Sequence, residues 1–82
     1  MKRANIREVI RQMGGAARLA AGWGVSVAAV YAWGRDNSMP LDRADMLAST
    51  LDIDRDLLHD PWRGRCPEVM SEEETRALFN RG

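Results

Sequence analysis

The sequence predicts an all-α protein: a compact five-helix domain followed by an extra C-terminal arm and helix. Three observations predict it. Apolar residues recur at spacings of three and four along most of the 82 residues. Capping residues open several of these runs, and glycine closes them. No stretch alternates polar and apolar residues with the period of two that a strand requires. The length suits one small domain, and a composition of 45% hydrophobic and 29% charged residues is that of a globular chain rather than a disordered one.

The elements follow in order. Asn5 can cap a helix over residues 6–13, with Glu8 placed to reach back as in a capping box. Ile6, Val9, Ile10 and Met13 form its apolar face, and Gly14-Gly15 stop it. A short alanine-rich helix is expected over 16–21, followed by Gly22-Trp23-Gly24. Ser26 is a natural N-cap for a third helix over 27–33 that ends at Gly34, with 35–38 as a polar loop. Pro40 sits where a fourth helix can begin, its inner face made by Leu41, Ala44, Leu47, Ala48 and Leu51. Asp54 caps a last short turn bearing Leu57 and Leu58. Residues 60–67 break the period and read as a linker or arm. Ser71 and Glu74 then make a capping box for a C-terminal helix carrying Ala77, Leu78 and Phe79. The expected division is 1–59 for the main domain and 60–82 for the tail.

Net charge is zero, but its distribution is not even. Residues 1–35 hold Lys2, Arg3, Arg7, Arg11, Arg18 and Arg35 against Glu8 alone. Residues 36–82 hold six arginines against seven aspartates and four glutamates. A basic first part can hold phosphates while an acidic remainder faces away or meets another partner. A single cysteine, Cys66, rules out an internal disulfide and suits a reducing compartment. With no apolar run near the ~18 residues of a membrane span, a cytoplasmic protein is expected.

The most informative stretch is residues 16–34. A helix-turn-helix needs a small residue where its helices cross, and Ala20 supplies it. It needs a residue at ease with positive φ four positions on, which Gly24 is. Val25 is the apolar anchor after the turn, Ser26 the cap, and Val30 and Trp33 the core contacts of the second helix. At these residues the chain resembles the phage Cro and repressor superfamily, and within it the small Cro-like and YdaS-like regulators. The shared run is matched by Gly14, Gly15, Leu19, Ala20, Gly24, Val25, Ser26, Val30 and Trp33. The resemblance extends over residues 6–58, including the Pro40 helix and its Leu-Asp-Ile-Asp ending.

That resemblance implies a second motif helix lying in the major groove of double-stranded DNA, with the first crossing the backbone. Carried onto this chain, the groove-facing positions are Ser26, Val27, Ala28, Tyr31, Ala32 and Arg35, with Asn37 beyond them and Arg18 on the first helix as further candidate DNA contacts. The chain departs from its relatives here. Val27, Ala28 and Ala32 stand where Gln, Arg or Ser usually meets base edges; they can touch thymine methyls but cannot make bidentate hydrogen bonds. Direct readout therefore falls on Tyr31, Arg35 and Ser26. Ala16 replaces the glutamine common at the start of the first motif helix, leaving backbone N–H groups at that end.

The remaining residues have plainer roles. Trp23 and Trp33 are expected in the core, Arg7 and Arg11 are exposed arginines suited either to phosphate or to solvent, and His59 closes a helical turn without a metal partner. No nucleophile is paired with a base, and no metal or cofactor site is indicated, so no enzymatic activity is expected. Trp62, Leu78 and Phe79 either dock on the domain or pack against a second chain; the second, a homodimer, is favoured because Cro-like domains usually bind DNA as two-fold dimers. The expected function is a transcriptional regulator, more a repressor than an activator. The rival reading is a protein-interaction module whose apolar motif helix and acidic C-terminal half bind a toxin, a polymerase subunit or another regulator.

Overall fold

The computed structural model describes residues 2–59 and 68–80. Five α-helices and one 3₁₀ turn occur there, and no strand does: α1 (Ile6–Gln12), α2 (Ala16–Trp23), α3 (Val27–Asp36), α4 (Leu41–Leu51), the turn η1 (Arg55–Leu57) and α5 (Glu72–Phe79). The fold is all-α as the periodicity requires. Its fifth α-helix is the C-terminal one, and the turn capped by Asp54 is 3₁₀.

One core joins the helices. Ile6, Val9 and Ile10 of α1 meet Leu19 and Ala20 of α2, Val30 of α3, Ala44, Leu47 and Ala48 of α4, and Leu57 and Leu58 after them. Short backbone links fix the loops: the Ala4 N–H donates to the Leu57 carbonyl at 2.9 Å, and the Met39 N–H to that of Leu58 at 2.8 Å. His59 Nδ1 lies 2.7 Å from the Met39 carbonyl and donates to it.

Three local expectations are corrected. First, α3 does not end at Gly34; it runs through Asp36 and closes on Asn37, a left-handed residue at φ 51°. Gly34 is buried inside the helix because α1 crosses there. A Cβ on it would stand 3.1 Å from Arg7 Cγ and 3.5 Å from Ile10 Cδ1, so the missing side chain sets the approach of α1 to α3. Second, Asn5 caps α1 by accepting from the Glu8 N–H, but Glu8 does not reach back. The Asn5 N–H instead donates to Thr75 Oγ1 of α5 at 2.9 Å, and Glu8 turns its carboxylate inward.

Third, residues 68–80 pack on the rest of the described chain. Leu78 and Phe79, expected at a dimer interface, are half-buried against the domain's own core. The strongest reason lies in polar contacts. The fully buried Glu8 carboxylate takes Arg11, Gln12 Nε2 at 2.7 Å and Arg76 Nε of α5 at 3.3 Å. Residues 68–70 also pair with Arg3: its N–H donates to the Glu68 carbonyl at 2.9 Å, and its carbonyl accepts from the Met70 N–H at 2.7 Å. Ser71 and Glu74 form the expected capping box, and the Ser71 backbone N–H, with Lys2 beyond it, holds the Glu74 carboxyl below the usual glutamate range. Trp62, Cys66 and the arm over 60–67 lie outside the described residues.

Candidate nucleic-acid interface

Three residues join α2 to α3. Gly24 ends α2 in the left-handed region (φ 67°, ψ 33°), and its N–H bonds the Ala20 carbonyl. No atom lies near the site of a Cβ there, so backbone conformation alone demands the glycine. Val25 then packs on the core, and Ser26 caps α3 by accepting the Ala29 N–H at 3.1 Å. Ala20 and Val30 are buried on the facing sides of the two helices. Trp23 and Trp33 are half-buried against the core with ring centroids 6.0 Å apart, and the Arg43 guanidinium caps Trp23 at 5.5 Å. The inner face of α3 is thus used up by packing, and its outer face is turned away from the core.

That outer face carries Val27, Tyr31 and Arg35 in one row at intervals of four, all exposed, with Tyr31 at 67%. Ala28 is exposed in the next row and Ala32 half-buried. The face opens on a groove of about 740 Å³ whose other wall is α1. Ala28, Tyr31, Ala32 and Arg35 line it from α3, Arg7, Ile10 and Arg11 from α1, and Gly15 and Ala16 from the start of α2. Three arginines therefore line a groove with a small apolar floor. Arg35 has Asp36 at 3.4 Å, an exposed pair of little energetic consequence.

The candidate residues fall into four groups. Ala28, Tyr31, Ala32 and Arg35 share the groove, and Ser26 and Val27 stand at the exposed start of the same helix. Arg18 is exposed on α2, its aliphatic stem across Gly14, and does not line the groove. Asn37 belongs to the scaffold: Oδ1 accepts the Ile6 N–H at 2.9 Å and Nδ2 donates to the Ala4 carbonyl at 3.0 Å, so the side chain ties the end of α3 to the start of α1. Arg7 and Arg11 enter the site because α1 crosses α3 at Gly34. The sequence signal for that was a glycine within an otherwise helical run. Among the described residues no helix is long and apolar enough to cross a membrane. Comparison with known protein families, curated proteins and solved structures returned no match.

Proposed function

We propose that this chain is a sequence-specific DNA-binding transcriptional regulator of bacterial or phage origin, binding operator DNA as a homodimer and acting as a repressor in the cytoplasm. One observation carries the reading: the outer face of α3 is unused by the fold and stands beside three arginines. A helix presented in this way fits a major groove about 12 Å wide. Val27 and Ala28 suit thymine methyls, Tyr31 reaches a base edge or phosphate, and Arg7, Arg11 and Arg35 suit the backbone. With Leu78 and Phe79 occupied by the domain itself, a second copy has exposed Leu41 and Met46 on α4 to use.

A second reading rests on the same helix. Val27 and Tyr31 are large apolar side chains exposed to 39% and 67%, which also suits a protein partner. Selection of bound sequences from a pool of random duplexes separates the two. The DNA reading expects enrichment of an inverted repeat with half-sites one helical turn, about 34–36 Å, apart. A pool that returns unenriched from folded protein contradicts it, and a single enriched half-site contradicts the dimer.

A further inference from the structure

We infer that the C-terminal helix restrains the groove: α5 holds Arg11 in an ion pair that a DNA phosphate must displace, so α5 docking and duplex binding compete. The inference rests on the reading that this groove takes DNA. Arg11 stands on a seam of α1. It lies one turn from Arg7, on the side lining the groove, and three residues from Glu8, on the side α5 covers. Its Nη1 bonds the buried Glu8 carboxylate and also lies 3.3 Å from Glu72 Oε2 in the first turn of α5.

The two pairings differ in strength. Glu8 is out of solvent and has Gln12 and Arg76 as further partners, so its charge stays compensated when Arg11 moves. The Arg11–Glu72 pair is 61% and 54% exposed, and such a pair is weak and salt-sensitive. A phosphate can therefore take Arg11 from Glu72, but not without loss. Glu72, in that first turn, thus sets a negative charge beside one of the arginines that line the groove. Lys2 is held in the same manner, with Nζ 3.3 Å from Glu74 Oε1. The net effect is a helix that lowers affinity while docked.

The test is duplex affinity of the full chain and of E72Q, over a salt series, with circular dichroism to verify the fold. E72Q is expected to bind at least about threefold more tightly at low salt, with the advantage over the parent shrinking as salt rises, because the exposed Arg11–Glu72 pair it removes is itself screened. E73Q removes the same charge at a residue that makes no ion pair among the described residues, and should change affinity less. In an R11Q background, E72Q should have no greater effect than E73Q. Equal gains from E72Q and E73Q in the parent, or no gain from E72Q, overturn the restraint while leaving the DNA reading intact. A parent chain that binds no duplex at any salt overturns both.

Discussion

At the level of single residues, Gly24 shows how directly backbone chemistry can be read from sequence. Its position four residues after Ala20 calls for positive φ, and it adopts φ 67° with nothing near its missing Cβ. Gly24→Val should therefore destabilise the fold through backbone strain alone, by roughly 1–3 kcal/mol. An unchanged thermal midpoint would place the turn elsewhere. Gly34 and Asn37 were not legible in the same way. A glycine after a short apolar run looks like a helix stop, and an asparagine in a polar stretch looks solvated. Their roles depend on α1, more than twenty positions back, crossing at that point. On the outer face of α3, Tyr31→Ala should cost on the order of 1–3 kcal/mol on a specific site and less on random DNA. Arg35→Ala should weaken specific and random duplexes alike, because a residue in the last turn of α3 reaches phosphate more readily than a base edge. Competition titrations at one salt concentration check both; two folded variants that bind like the parent would remove α3 from the groove.

At the level of elements, helix starts were more legible than docking. Asn5, Ser26, Asp54 and Ser71 all cap the elements their spacing indicates, since a cap is a local hydrogen bond. The seat of α5 was not visible, because it is held by partners distant in sequence: Thr75 on the Asn5 N–H and Arg76 on the buried Glu8. Thr75→Val keeps the shape of a buried side chain and removes the acceptor. It should cost about 1–3 kcal/mol in urea unfolding and speed amide exchange at Asn5. Glu74 gives α5 a pH dependence of known sign. Its carboxyl is held below the ordinary range by the Ser71 backbone N–H and by Lys2, so the folded state favours the ionised form. That contribution is fully present above the ordinary glutamate range and is lost as pH falls through the lowered folded value. An NMR titration should show Glu74 titrating below an unstructured glutamate, with α5 fraying on acidification; a Glu74 that titrates normally would contradict the capping box.

At the level of the whole molecule, zero net charge conceals a basic first part and an acidic remainder, and folding brings the two into contact, with Lys2 on Glu74 and Arg11 on Glu72. Arg7, Arg11 and Arg35 come from two helices to line one groove. The all-α class and the tight turn at Gly24 between α2 and α3 were legible because both rest on short-range spacing. The groove was not, because it arises from the crossing of α1 and α3. Since α3 offers few groups that hydrogen-bond to bases, phosphate contacts should supply most of the affinity. The most direct test of that claim is duplex affinity measured by fluorescence anisotropy across a series of salt concentrations. A dimer using these arginines should give a slope of log K against log salt of about −4 or steeper. An affinity that hardly changes from low to moderate salt would contradict it.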